Sequence, residues 1–214
     1  MKLALHPGAV AALREPTEAD PWRLLVSACL TGAPCGVDGD DYGMGAKNAE
    51  LLALPTLKVI PFCPEDHGLG TPRTMPDLHG GDGRAFHAGR ARVLDQHGQD
   101  LSEGMRRGAE AMRDLALREE AELALLTDAS AACGTQVISL GCRFDTPRRF
   151  QFGFGVAAAL LVEAGIPVVS NRDFATLGRL RARLQPGFVP DPEAKDHHDH
   201  PWVVEHRSEI LSHE

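Results

Sequence analysis

The chain has 214 residues, with 22 lysines and arginines against 30 acidic residues, and a formal net charge of −8. That balance excludes the global basicity of a general nucleic-acid binder, and one domain of this size buries enough surface to fold without disulfides. Because no run approaches the roughly 20 apolar residues of a membrane-spanning helix and the N-terminus lacks a signal-peptide pattern, we expect a cytoplasmic protein whose five cysteines stay reduced.

Composition divides the chain into three regions. Residues 1–22 read as an N-terminal extension with a short helix before Pro16 and Pro21. Residues 23–186 carry the patterns of one folded domain. Residues 187–214 are rich in Pro, Asp and His and read as a tail or an added lid. The tail holds half of the ten histidines. A solvated end is the favoured interpretation, and adventitious metal binding is the alternative.

Within the central region, strand patterns alternate with helix patterns. We predict strands at 23–28, 57–62, 122–127 and 166–170, helices at 47–54, from 100 onward, 153–165 and 173–184, a long loop at 64–83, and short strands within 85–94. Residues 135–140 fit either a strand or an irregular crossing. This order predicts an α/β single domain with a mainly parallel, Rossmann-like sheet covered by helices.

Three cysteines follow predicted buried strands: Cys29, Cys63 and Cys133. Because the carboxyl ends of parallel strands share one edge, which is where open α/β folds bind ligands, the three thiols should converge there. Reduced cysteines of this kind indicate a metal site or catalysis before structural disulfides. Spacing alone leaves zinc and iron–sulfur centres both open.

The residues around these cysteines carry a more specific signal. The segments are Val26-Ser-Ala-Cys-Leu-Thr-Gly-Ala-Pro-Cys-Gly-Val-Asp-Gly39, Pro61-Phe-Cys-Pro-Glu65, Leu69-Gly-Thr-Pro-Arg73, Ser130-Ala-Ala-Cys-Gly134, and Gly153-Phe-Gly-Val-Ala-Ala-Ala-Leu-Leu161 followed by Gly165-Ile-Pro-Val-Val-Ser170. Together and in this order they resemble the bacterial thiouracil desulfidase family, over roughly residues 23–184.

The resemblance implies a 4Fe-4S cluster held by three cysteines and a non-redox removal of sulfur from a thiolated nucleobase. Carried over by motif, the cluster ligands would be Cys29, Cys63 and Cys133, with Cys35 as the runner-up. One motif departs from the family. Where the family reads Ser-Pro-Ser-Cys-Gly, this chain has alanines at 131 and 132, so the turn should be softer and should lack one hydroxyl.

The resemblance also suggests roles for three polar residues. Glu65 would act as general base for an attacking water, and Ser130 would orient that water or the departing sulfur. Arg73 would bind an anionic or carbonyl group of the substrate. Each has a structural alternative: Glu65 could cap the loop or pair with Arg73, Ser130 could cap its turn, and a salt bridge is the slightly favoured role of Arg73.

Other functions use the same residues. A zinc-dependent hydrolase could employ the three cysteines with a metal-bound water, and a non-catalytic iron–sulfur module would hold a cluster without releasing sulfide. The acidic balance favours a small thiolated pyrimidine as the substrate over a thiolated tRNA base, and DNA binding is not expected. Cys142 is predicted to be a bystander. Gly153 and Gly155 are predicted to allow close helix packing rather than nucleotide binding.

Overall fold

The fold is built on a four-stranded sheet whose strands all run parallel, and the computed structural model describes residues 10–212. In chain order the elements are β1 (Trp22–Ser27), α1 (Met44–Leu52), β2 (Leu57–Phe62), α2 (Pro64–Leu69), β3 (Asp77–His79), α3 (Gly83–His87), β4 (Arg92–Leu94), α4 (Ser102–Arg118), β5 (Leu123–Leu126), β6 (Val137–Ser139), β7 (Phe150–Phe152), α5 (Val156–Glu163), β8 (Val168–Ser170), α6 (Phe174–Leu184), α7 (Pro201–Glu205) and β9 (Leu211–Ser212). The main sheet has the order β2-β1-β5-β8.

Helices cover both faces of this sheet, which explains why its central strands are almost wholly apolar. All four residues of β5 are buried, as expected for a parallel strand with both faces covered. On one face Leu25 and Ala124 pack with Met112 of α4 and Leu161 of α5. On the other face the core residues include Trp22, Leu24, Leu180 and Leu184. The predicted α/β class with a parallel sheet covered by helices is confirmed.

Two small sheets flank the main one. β3 pairs antiparallel with β4, and β7 pairs antiparallel with β6 and parallel with β9. The prediction of short strands throughout 85–94 is wrong in its first part, which is the helix α3. The cause is local, because Asp82 caps that helix by accepting a hydrogen bond from the Ala85 amide at 3.0 Å.

The predicted loop at 64–83 also contains more regular structure than the glycines and prolines indicated. It begins with α2, where Pro64 occupies the first turn and Cys63 is the N-cap residue. An amide hydrogen in the first turn of a helix has no partner within the helix. Proline has no amide hydrogen, so it loses no hydrogen bond at this position. The loop ends with β3. The site described below depends on α2.

The segments outside the central region contact it. Arg14 forms an ion pair with Glu122 at 2.7 Å, and Trp202 of α7 packs edge-on against Phe150 of β7. The short helix predicted before Pro16 lies partly outside the described residues, which begin at Val10, and Val10 and Ala11 are helical. The boundaries predicted at residues 22 and 186 stay a prediction. Among residues 10–212, no helix combines the length and apolarity needed to cross a bilayer.

Candidate functional site

The three predicted cysteines lie at the carboxyl edge of three neighbouring strands. Cys29 is in the 3₁₀ turn that follows β1, Cys63 follows β2 directly, and Cys133 is in the loop after β5. Because β1 lies between β2 and β5, the three chain segments meet, and all three cysteines line one cavity of about 210 Å³. The predicted convergence on one edge is therefore present.

Cys35 lines the same cavity, so four thiols surround it. Its side chain contacts both Cys29 and Cys63, and the residue is buried, with 6% of its surface exposed. All of these cysteines are free. Within residues 10–212, no three His, Cys, Asp or Glu side chains converge closely enough to hold a single metal ion. The thiols instead surround a cavity. Cys142 is not among the residues that line it.

The thiols differ in how readily they would ionise. Hydrogen bonding with the neighbouring Cys35 lowers the pKa of Cys29 to about 7 and also lowers the pKa of Cys63. Thr127 adds to the effect at Cys29, with its Oγ1 3.0 Å from the Cys29 Sγ. Burial raises the pKa of Cys133 well above its ordinary value. Since a metal or cluster needs thiolates, two of the predicted ligands are already shifted toward that form.

Glu65 lies on α2, two residues after Cys63, and both of its carboxylate oxygens are held. Arg73 donates to Oε2 at 2.9 Å, and the Ser130 hydroxyl donates to Oε1 at 2.8 Å. The side chains of Glu65 and Arg73 are 13% and 5% exposed. The ion pair considered for Arg73 is present, and the three polar residues predicted from the motifs form one connected group on the cavity wall.

Arg73 joins several separate segments of the site. Besides Glu65 it donates to the backbone carbonyl of Cys35 at 2.9 Å and to Thr71 Oγ1 at 3.0 Å. Its guanidinium thus fixes the Cys35 segment relative to α2. Most of its donors are occupied by protein acceptors, so the substrate-binding role of Arg73 stays a prediction.

Close helix packing places Glu65. α2 lies against α4 so tightly that a Cβ on Gly108 would come within 1.8 Å of the Pro64 carbonyl oxygen. No side chain fits at that approach, so glycine is required there. Because the backbone of Pro64 is packed closely against α4, the position of the next residue, Glu65, is also fixed.

The segment of residues 127–134, which we call the site loop, carries Ser130 and Cys133. The Ser130 Oγ accepts hydrogen bonds from the amides of Ala132 at 3.1 Å and Cys133 at 2.9 Å. It therefore caps its turn and binds Glu65 at the same time, so the two roles weighed for it from the sequence coexist in one hydroxyl.

The site loop is also joined to α5. The first amides of this helix donate to loop carbonyls, Val156 to Ala131 at 2.8 Å and Ala157 to Ala132 at 2.9 Å. These bonds satisfy helix amides that have no partner within the helix. A Cβ on Gly155 would lie 2.5 Å from the Ala132 carbonyl group. Gly155 therefore serves close packing, as predicted, although its neighbour is the loop and not the sheet.

Several residues that line the cavity were not singled out from the sequence as site residues, among them Tyr42, Asp128 and Arg143. Tyr42 is the only tyrosine of the chain. It is 49% exposed and adopts a left-handed backbone conformation, with φ of 54°, which is unusual for a bulky residue. Its hydroxyl donates to Asp38 at 2.7 Å. Asp38 thus supports a residue that lines the cavity.

The sequence profile of the 2-thiouracil desulfurase family matches residues 24–173, which include the four cavity cysteines, Glu65, Arg73 and Ser130. This chain belongs to that family.

Two known proteins are similar to this chain over nearly their whole length. An uncharacterized protein of Bacillus subtilis (strain 168), YbbK, is 32% identical over 151 residues, which is 70% of this chain and 96% of the relative. A solved structure of TudS, described as a [4Fe-4S]-dependent thiouracil desulfidase, is similar at a TM-score of 0.61 and 31% identity, covering 75% of this chain and 98% of that one.

Proposed function

We propose that this protein converts a thiolated pyrimidine base, 2- or 4-thiouracil, to uracil and hydrosulfide without net redox change, at a 4Fe-4S cluster held by Cys29, Cys63 and Cys133. The observation that carries the proposal is the convergence of free thiols around one cavity whose wall also bears Glu65. Membership of the 2-thiouracil desulfurase family supports the reaction, and the cofactor named for TudS supports the cluster.

The donor set fits such a group. Thiolates are the ligands that iron–sulfur clusters use, and the cavity of about 210 Å³ lies between the thiols. With three cysteine ligands, a four-iron cluster has one iron without a protein ligand and supplies there a Lewis acid for a soft sulfur atom. Cys35 is the runner-up for one of the three ligand positions.

The protein's own part in the reaction concerns a water molecule. Glu65 is proposed to accept a proton from water as the water oxygen bonds to the ring carbon that carries sulfur. As water adds, the π electron pair of the carbon–sulfur double bond moves to sulfur. The remaining carbon–sulfur single bond then breaks, sulfur leaves with the electron pair of that bond and takes the proton of the new hydroxyl group, and the ring carbon becomes a carbonyl. Hydrosulfide forms and no electron donor is needed. Arg73 and Ser130 hold the Glu65 carboxylate in one orientation.

The substrate face of the cavity suggests how a pyrimidine is bound. Tyr42 presents an aromatic ring at the cavity, and base–aromatic stacking contributes about 1–3 kcal/mol per base. The acidic net charge favours a free base over a tRNA. We also propose a cytoplasmic location, in which these free cysteines stay reduced.

The test is anaerobic reconstitution with iron and sulfide, followed by a sulfide-release assay on 2-thiouracil and 4-thiouracil. We expect a brown protein with about four irons per chain that releases sulfide and forms uracil in equal amounts. Colourless protein that binds zinc would support the hydrolase alternative. Fully loaded protein that releases no sulfide from either base would contradict the proposal and leave the non-catalytic module.

A further inference from the structure

A buried contact joins the C-terminal segment to the site loop. The Nδ1 atom of His197 contacts the Oδ2 atom of Asp128, and the two side chains are 6% and 0% exposed. His197 belongs to the 187–214 region, which was expected to be a solvated tail. Asp128 is the second residue of the site loop and lines the cavity. The contact spans 69 positions of sequence.

Asp128 binds both ends of the site loop. Its Oδ1 accepts hydrogen bonds from the amides of Ala129 at 2.8 Å and Thr135 at 3.3 Å. Its Oδ2 accepts from the Ser170 hydroxyl at 3.0 Å. Ser130 and Cys133 lie between these two amides, so the carboxylate closes the loop that carries them. The orientation of this one carboxylate therefore controls the shape of the loop.

His197 is itself held in place by its own segment. Its backbone amide donates to Asp173 Oδ1 at 3.0 Å. The preceding residue, Asp196, accepts from the amide and the hydroxyl of Thr176, each at 2.8 Å. Further along, Val203 is fully buried. The segment is thus anchored to α6 and to the body independently of Asp128.

The segment lies outside the region that the family profile matches. The family match ends at residue 173, before His197. Within the site loop, Ala129 adopts a left-handed backbone conformation with φ of 59°. Such a conformation costs about 1–3 kcal/mol at a residue other than glycine and persists only where the surrounding structure holds it, so this loop needs support from its neighbours.

We propose that His197 is a positioning residue for the desulfuration site: its contact with Asp128 fixes the site loop and thereby the positions of Ser130 and Cys133. The inference rests on the proposed function for its catalytic consequence, whereas the fixing of the loop can be measured without turnover. A buried carboxylate that loses its contact with a histidine ring is left less well compensated, and it rearranges or takes up water.

The experiment uses the full-length chain and four substitutions. His197→Phe removes the contact and keeps a ring. His198→Phe is the matched control, because the adjacent His198 is one-third exposed and pairs with Asp199. His197→Asn can place an amide N–H where Nδ1 lies, whereas the amide of His197→Gln reaches the position of Nε2. The measurements are amide hydrogen exchange of the site loop, iron content, and kcat and KM for sulfide release.

We expect His197→Phe and His197→Gln to speed amide exchange at Ala132 and Cys133 and to lower kcat by about 10- to 100-fold, the usual effect of losing a partner that orients a metal-site residue. His197→Asn and His198→Phe should match the wild type in both respects. The Asn and Gln variants keep the test valid should the phenylalanine variant fail to fold.

Two results would overturn the inference. One is unchanged loop exchange in both His197→Phe and His197→Gln. The other is equal behaviour of the Asn and Gln variants, which would assign His197 a general stabilising role. If the reconstituted wild type releases no sulfide, the proposed function fails, and the exchange comparison still decides whether His197 fixes the loop.

Discussion

The Ser130 hydroxyl donates to the Glu65 carboxylate over 2.8 Å, and the same hydroxyl oxygen accepts the amide hydrogen of Cys133. One oxygen atom therefore connects the proposed general base to the backbone of a proposed cluster ligand. A substitution that removes this oxygen should therefore affect the base and the ligand together.

Replacing Glu65 with glutamine should abolish turnover while iron content stays unchanged. The amide keeps the size of the side chain but cannot accept a proton from water, and loss of general-base catalysis costs about 100- to 10,000-fold. Sulfide release and the visible absorbance of the cluster measure the two effects. Asp66→Asn is the matched control, since Asp66 is the exposed next residue on α2. A fully active Glu65→Gln protein would remove Glu65 from the proposed reaction.

Ser130→Ala should lower both activity and stability. It removes the donor to Glu65 and the acceptor for two loop amides, and loss of a capping hydroxyl costs about 0.5–2 kcal/mol. Thermal unfolding and sulfide release measure these losses. Ser130→Thr keeps the hydroxyl and should restore most of both. If alanine and threonine variants were equally impaired, steric fit and not hydrogen bonding would explain the result.

Single alanine substitutions should separate the cluster ligands from the other cysteines. We expect Cys29→Ala, Cys63→Ala and Cys133→Ala to reduce iron content after anaerobic reconstitution, and Cys142→Ala, outside the cavity lining, to leave it unchanged. Cys35→Ala is expected to retain iron. Loss of iron in the Cys35 variant, with retention in one of the first three, would reassign Cys35 as a ligand.

Tyr42→Leu should raise KM for thiouracil by about tenfold, because the loss of roughly 1.4 kcal/mol of base stacking corresponds to that factor. Tyr42→Phe keeps the ring, loses only the bond to Asp38, and should bind nearly as the wild type does. Steady-state kinetics of sulfide release give both values. Equal KM values for the leucine variant and the wild type would show that the ring does not stack on the substrate.

Gly155→Ala should displace the site loop, because Gly155 immediately precedes α5 and packs against that loop. Its added methyl group would lie 2.5 Å from the Ala132 carbonyl and 2.8 Å from the Cys133 amide nitrogen, so the site loop must move. We expect reduced iron content and a lower melting temperature. Gly178→Ala, inside α6, is the control, since its methyl group meets a side-chain atom of Pro190 at 3.3 Å and alanine favours the helix. Normal iron loading of Gly155→Ala would contradict tight coupling of helix and loop.

The meeting of Cys29, Cys63 and Cys133 at one edge of the sheet could be predicted from the sequence, because this arrangement depends on two general regularities. Buried strands are apolar runs, and parallel strands end at a common edge, so residues that follow three such runs must meet. α2 was missed because glycine and proline dominate the segment 64–83, and the helix depends on the Cys63 cap and on close packing against Gly108. Such packing has no periodic signal in the sequence.

The contact of Asp128 with His197 could not be predicted for a different reason. Histidine and aspartate in a Pro-rich terminal region have the composition of a solvated tail, and only the tertiary structure brings them to a buried carboxylate. Tyr42 was overlooked because its role depends on a left-handed turn. Tyr42 and His197 both lie outside the α-helices and β-strands, where the periodicity of the sequence gives the least information.

The cysteines that line the cavity are far apart in the sequence, and this distance affects when the protein can acquire its cluster. Positions 29, 63 and 133 belong to strand ends that are adjacent only after β2, β1 and β5 have paired. To bring the same sulfurs together, a nascent or denatured chain would have to close loops of 34 and 70 residues, and closing each loop loses conformational entropy. In the folded protein this entropy has already been lost in forming the sheet. Metallation should therefore follow assembly of the sheet, and the apoprotein should adopt its native topology before it acquires iron.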